Sequence, residues 1–311
     1  MSDHIFCDVC PHACRLKPGD IGACGARGYF PDSDKNDGVY FDVNRYEETD
    51  NRKNRKKDHT IPVNYGIATS LALDPIEKKP LNHFLPGSKI LSFGSFGCNL
   101  KCPFCQNHEI SMQSVNSYKP DSLKEAYISP EKLVSLACKY KDNGNIGVAF
   151  TYNEPLISFE YVLDTAKLLK NIGMKTVLVT NGCINKEITD LLLPYVDALN
   201  IDLKSFNAET YKNTLKGDIN TVKSFIEKAV KLCHVELTTL IVPGMNSGKE
   251  EMEELSEWIT SLDGGISVPL HISRFFPRYR MSDEKPTDVR LIYELVDVAR
   301  KHLQYVYRGN C

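Results

Sequence analysis

No stretch of this chain approaches the roughly 18 uninterrupted apolar residues that a membrane-spanning helix needs, so no span is expected. Its start, Met1-Ser2-Asp3-His4-Ile5-Phe6-Cys7, has no basic segment leading into an apolar one, so no secretory signal is expected either. It also lacks an excess of charge of either sign: 38 Lys plus Arg stand against 40 Asp plus Glu, a net of −2. That balance gives no global pull toward nucleic acid or anionic lipid. Neither a low-complexity tract nor a short tandem repeat occurs. With 42% hydrophobic and 25% charged residues among 311, the composition excludes wholesale disorder and suffices for a large core.

What the chain does have is cysteine. There are eleven, an odd number, with no export signal to place them in an oxidising compartment. Metal ligation is therefore expected ahead of a disulfide framework, and a cytoplasmic location is expected with it.

Two zones follow from the patterning. Residues 1–87 form an N-terminal Cys-rich extension, irregular and rich in Gly, Pro and Asp. It contains the basic run 52–57, read as a solvated loop or as a docking patch for an acidic partner. Residues 88–311 alternate short β-branched runs with longer amphipathic ones. Strands are expected at 89–96, 146–152, 176–180, 198–203, 235–242 and 270–276, and helices at 130–140, 157–172, 221–233, 250–262 and 289–303. This rhythm predicts an α/β fold, a partial (β/α)6 barrel with chemistry at the carboxyl ends of the strands.

After the first of these strands comes Cys98-Asn99-Leu100-Lys101-Cys102-Pro103-Phe104-Cys105, spaced C-x3-C-x2-C on a loop. Three thiolates on one loop suit three irons of a four-iron cluster, whose fourth ligand the sequence nearby does not supply. The alternative is a zinc loop completed by a distant Cys or His. A second group, Cys7, Cys10, Cys14 and Cys24, packs four thiols into a short span. Such tetrads suit structural zinc or a further iron–sulfur cluster, with free thiols as the third reading, and the spacing leaves the metal open. Cys138 and Cys233 lie on apolar helix faces and read as core residues; Cys183 falls near the later strand ends.

C-x3-C-x-Φ-C with Phe104 before the last Cys resembles the signature of the radical S-adenosylmethionine (SAM) enzymes. The resemblance implies a [4Fe-4S] cluster on Cys98, Cys102 and Cys105, an open iron that chelates SAM, and a 5′-deoxyadenosyl radical. It carries over to later strand ends. Thr151-Tyr152-Asn153-Glu154-Pro155 corresponds to the family's Gly-Gly-Glu-Pro, which receives the ammonium of SAM, although Tyr152 and Asn153 replace both glycines. Glu154 also suits the first turn of a helix opened by Pro155. Thr180 and Asn181 resemble a turn that contacts ribose and carboxylate. Asp202 and Lys204 match a segment beside the SAM carboxylate, where a monovalent cation is implied near Asp202. His271 and Arg274 are candidates at the sixth strand's end, although an odd separation along a strand points them to opposite faces.

Together with the Cys7–Cys24 block and residues 74–84, these motifs resemble the radical SAM member of the AmmeMemoRadiSam system, a relative of pyruvate formate-lyase activating enzymes. The resemblance implies a one-electron donor such as flavodoxin or ferredoxin, and a substrate that is either a glycyl-radical enzyme or a small molecule or partner protein of that system. An RNA substrate draws no support from the charge. A zinc-binding scaffold without catalysis is the reading from a different class.

Overall fold

The computed structural model describes residues 4–31, 59–117 and 126–311. The basic run 52–57 lies outside them. The centre of the fold is an eight-stranded sheet whose strands follow one another in sequence order. They are β1 Ser70–Pro75, β2 Lys89–Gly94, β3 Asn145–Phe150, β4 Lys175–Thr180, β5 Ala198–Asp202, β6 His234–Ile241, β7 Leu270–Arg274 and β8 Val306–Gly309. The β1–β2 pair is antiparallel and every other pair is parallel. β1 and β8 remain the two edges, so the sheet does not close into a barrel.

The six expected strands are β2 to β7. Two edge strands add to them, and β1 opens the sheet ahead of residue 88. Between the parallel strands run α1 Pro130–Lys139, α2 Phe159–Asn171, α3 Lys186–Leu192, α4 Ile219–Ala229, α5 Lys249–Thr260 and α6 Val289–Ala299. Local chemistry sets several starts. Ser129 accepts from Lys132 N ahead of Pro130, Asp218 accepts from Asn220 N and Thr221 N, and Asp288 accepts from Arg290 N.

Strand alternation sorts the two faces. One face, with Phe93, Phe150, Leu178, Leu199, Leu237 and Ile272, belongs to the main hydrophobic core, with buried residues of the helices. The other face is layered. In its lower layer, Ile90, Ala149, Val177 and Ala198 pack with Ile76 and Leu81 from the β1–β2 connection. That connection is fastened from below: Asn82 N and His83 N donate to Glu236, and Asn200 Nδ2 donates to Pro80 O. Further along the strands, toward their carboxyl ends, Thr151, Val179, Asp202, Leu240 and Ser273 line a cavity instead. The connection is thus a floor, and the cavity opens above it at the carboxyl ends of the strands.

The N-terminal extension docks against this end. A small hairpin pairs Ile5–Phe6 with Arg15–Leu16, and Arg27–Gly28 pairs with Ile61–Pro62. Arg27 is buried, forks onto both oxygens of Glu160 in α2 at 2.8 and 2.9 Å, and also donates to Thr60 and Ile157 O. A bidentate pair in an apolar setting holds only with its donors satisfied in this way.

Candidate active site

The loop 98–105 leaves β2 through Gly97, whose φ of +86° is a left-handed conformation that favours glycine. A Cβ there would also meet Cys24 O at 2.6 Å. That close approach is used: Cys98 N donates to Cys24 O. On the far side, Lys101 N donates to Leu215 O, at the end of the π-helical turn Thr210–Leu215.

Cys98, Cys102 and Cys105 all line a cavity of about 270 Å³, beside Phe104, and it includes no fourth cysteine. Their sulfurs do not all come within 4.8 Å of one another. A single zinc, with Zn–S bonds of about 2.3 Å in a tetrahedron, would draw them to roughly 3.8 Å. Burial pushes the Cys102 thiol up to about 12 against the pull of Lys204, and burial followed by the Glu154 charge raises Cys98 well above the usual range. Donors meanwhile converge on the sulfurs. Leu100 N and Asn181 Nδ2 lie 3.4 and 3.7 Å from Cys98 Sγ, and Ser111 Oγ lies 3.0 Å from Cys105 Sγ. Open sulfur spacing, dry surroundings and donors to thiolate fit a polynuclear cluster with three protein ligands.

Opposite the loop lies Glu154, buried, serving as N-cap of the short 3-10 turn Pro155–Ser158. Its Oε1 accepts from Thr180 Oγ1 at 2.7 Å and Leu156 N at 3.0 Å; its Oε2 accepts from Asn181 N at 2.8 Å. Both sequence readings of Glu154 are therefore compatible: it caps the turn, and Oε2 keeps a lone pair open. Burial raises its carboxyl to about 7 in spite of these donors. Lys204 Nζ and Asp202 Oδ2 are 2.9 Å apart. Burial alone would lower Lys204, but Asp202 and the Cys102 sulfur hold it well above the ordinary lysine range.

The other residues expected to contact SAM make bonds within the chain. The Asn153 amide is committed to the loop backbone, accepting from Ser95 N and donating to Phe96 O and Gly97 O. Asn181 joins Asn99 Oδ1, Cys98 Sγ and Cys183 N, and Thr180 Oγ1 is shared between Glu154 and Gly182 N. These three line the cavity but brace it. His271 and Arg274 do not line it at all. His271 faces the same way as Ser273 but one layer lower, where its ring meets Glu236 at 2.7 Å. Arg274, on the other face, donates to Thr287 O and stacks over Phe276. The sequence reading missed Ser273, Thr238 and Asn310, which do line the cavity. Two-residue alternation from His271 was the available signal for Ser273.

Tyr152, at a position where the resemblance to Gly-Gly-Glu-Pro implies glycine, adopts the glycine-like φ of +73°. Its hydroxyl donates to Asp74 Oδ2 at 2.8 Å, and Lys79 lies over its ring and pairs with Asp74. The floor segment thereby holds a left-handed tyrosine in place, at a backbone cost of about 1–2 kcal/mol.

At the N-terminus, Cys7, Cys10 and Cys24 are buried and Cys14 is half-buried. Of the remaining thiols, Cys183 is buried beneath the loop 98–105, Cys233 packs half-buried against the core, and Cys138 is exposed rather than in the core.

A family model described as the Radical SAM superfamily matches residues 93–259. An uncharacterized protein of Methanocaldococcus jannaschii is 35% identical over 308 residues, covering 98% of this chain and 81% of that protein. The pyruvate formate-lyase-activating enzyme of Clostridium pasteurianum is 25% identical over 221 residues, 68% of this chain and 84% of that enzyme. Among solved structures, Streptococcus suis SuiB bound to precursor peptide SuiA has a TM-score of 0.53 at 16% identity, covering 71% of this chain and 48% of that one, a likeness of fold. With the three-cysteine loop and the strand ends facing it inside the matched region, this chain belongs to the radical SAM superfamily and is related to the activating enzymes of glycyl-radical proteins.

Proposed function

We propose that this protein cleaves SAM reductively and directs the resulting radical at a hydrogen atom of a protein substrate, in the manner of a glycyl-radical activating enzyme. One observation carries the reading. Cys98, Cys102 and Cys105 face Glu154 and the Asp202–Lys204 pair across one cavity at the carboxyl ends of the strands. The [4Fe-4S] cluster that this family implies would sit on the three cysteines and, when reduced by a donor such as flavodoxin or ferredoxin, supply the electron that breaks a C–S bond of SAM.

The chain's own groups would do the rest. Glu154 Oε2 has room to accept from the SAM ammonium, whose charge favours the ionised carboxylate. Lys204 spends one donor on Asp202 and has others for the SAM carboxylate. It also supplies the positive charge that a monovalent cation near Asp202 would otherwise provide. Asn153, Thr180 and Asn181 fix the backbone on which these groups stand, and Phe104 walls the cavity.

The test is 5′-deoxyadenosine formation by iron-reconstituted, dithionite-reduced protein. The parent is expected to make it and Cys102→Ala to make none; equal turnover by the two would sink the assignment. For the substrate, a protein-based radical signal in a candidate glycyl partner is the expected result. Modification of a small molecule or partner protein of the AmmeMemoRadiSam system is a second reading. It draws on Tyr152, whose ring reshapes the cavity wall at a position where the resemblance to Gly-Gly-Glu-Pro implies glycine.

A further inference from the structure

The four N-terminal thiols are not used by the chemistry above, and their setting is specific. Cys7 and Cys14 face each other across the small hairpin, with Cys7 N donating to Cys14 O. Cys24 lies on the next turn, whose Ala23 N donates to Cys14 Sγ at 3.4 Å, while Thr60 Oγ1 donates to Cys7 Sγ at 3.5 Å. Cys10 lies in the connection of that same hairpin, where its carbonyl oxygen accepts from Ala13 N, and is buried in the same cluster as Cys7. Four thiols, three of them buried, thus gather in one knot with donors aimed at two of the sulfurs.

Two features decide what such a knot holds. The first is spacing: no three of these sulfurs lie mutually within 4.8 Å, although a tetrahedral zinc would draw all four to roughly 3.8 Å. The Cys98 triplet has the same open spacing. The second is position. Cys24 O accepts directly from Cys98 N, so one hydrogen bond joins a residue of each cysteine group. His12, between Cys10 and Cys14, also reaches Asn99 O at 2.7 Å.

We propose that Cys7, Cys10, Cys14 and Cys24 hold a second four-iron cluster, against the loop that carries the first. All four irons would have a thiolate, so this site has no opening for SAM and its chemistry is electron transfer. One electron from a low-potential carrier of the ferredoxin or flavodoxin class would reduce this cluster. The same electron would then pass to the Cys98 cluster, returning the first acceptor to its oxidised form, with no bond or proton changing hands. That relay rests on the proposed activity; the presence of the cluster does not.

Iron, zinc and acid-labile sulfide should be measured in the anaerobically purified full chain and in Cys98→Ala/Cys102→Ala/Cys105→Ala. The parent is expected to carry on the order of eight irons, two four-iron clusters' worth. The triple variant should keep about half of them with matching sulfide and a reducible paramagnetic signal. If that variant does not fold, Cys10→Ser/Cys24→Ser provides the reverse test, losing half the iron and keeping the other half. One zinc per chain at this site, or a parent whose iron all disappears with the triplet, overturns the proposal. Iron retained by the triple variant upholds it even if the parent fails to cleave SAM.

Discussion

At the scale of single residues the site depends on where lone pairs are left over. Glu154 is in contact with three donors and still has an acceptor position on Oε2, whereas Asn153 and Asn181 have spent their amides on backbone and neighbours. Glu154→Gln keeps the shape but removes the charge and can turn an NH2 toward Asn181 N. Hydrogen bonds to a charged group are worth about 1.5–3 kcal/mol. The variant should therefore weaken SAM binding by about 10- to 100-fold, measured by calorimetry or by the KM for 5′-deoxyadenosine formation; unchanged affinity would remove Glu154 from the ammonium site. Glu154 was legible through the resemblance of Thr151–Pro155 to the Gly-Gly-Glu-Pro segment, at the end of a buried strand. The sequence placed Asn153, Thr180 and Asn181 at this cavity, but not the bonds that they make within the chain. Whether an amide is free depends on groups such as Ser95 N and Asn99 Oδ1, brought near only by folding. His271 shows the same limit. Alternation put it on the face opposite Arg274, but its depth along the strand depends on a floor segment distant in sequence.

Among the elements, the contacts that hold the N-terminal extension to the sheet's carboxyl end include two of different kinds. One is the close approach at Gly97. Gly97→Ala would bring a Cβ to 2.6 Å from Cys24 O and put alanine at φ +86°. The expected result is a strained loop with lower iron retention at Cys98, read from cluster absorbance after desalting. The other is the buried Arg27–Glu160 fork. Arg27→Ala removes the bidentate cation from the buried Glu160 carboxylate, and breaking a buried pair in this way costs about 3–5 kcal/mol. Its urea midpoint should fall accordingly, and limited proteolysis should first cut the extension; equal stability would show that the fork is not what holds it. The central strands were readable because strands covered on both faces give continuous apolar runs. β1 was not, since Ser-Leu-Ala-Leu-Asp-Pro is half exposed at an edge and ends in proline. α3 and β8 were too short to show a period.

Over the whole molecule, the open sheet keeps its shape because the β1–β2 connection ties strands that do not pair with β1, and Glu236 is the knot. Its buried carboxylate accepts from Asn82 N and His83 N and meets the rings of His234 and His271, joining the connection, β6 and β7. Nothing in the sequence pointed to it, because the backbone donors it fastens lie 154 and 153 residues away and a lone Glu in a strand pattern carries no motif. Burial would raise this carboxyl, but the two histidine side chains and the two backbone donors hold it down at about 2. The folded value lies below the ordinary 4.5, so the ionised group stabilises the fold above pH 4.5 and that contribution is lost as pH falls toward 2. The full difference is on the order of 3 kcal/mol. Glu236→Gln places NH2 protons against the same backbone donors and removes the titration. Urea unfolding followed by circular dichroism should find the variant less stable near neutrality. The gap between variant and parent should close as both are taken from pH 4.5 toward 2.5, since only the parent loses this contribution. A gap that stays constant across that window would mean that Glu236 is not the group whose ionisation holds the floor beneath the cavity.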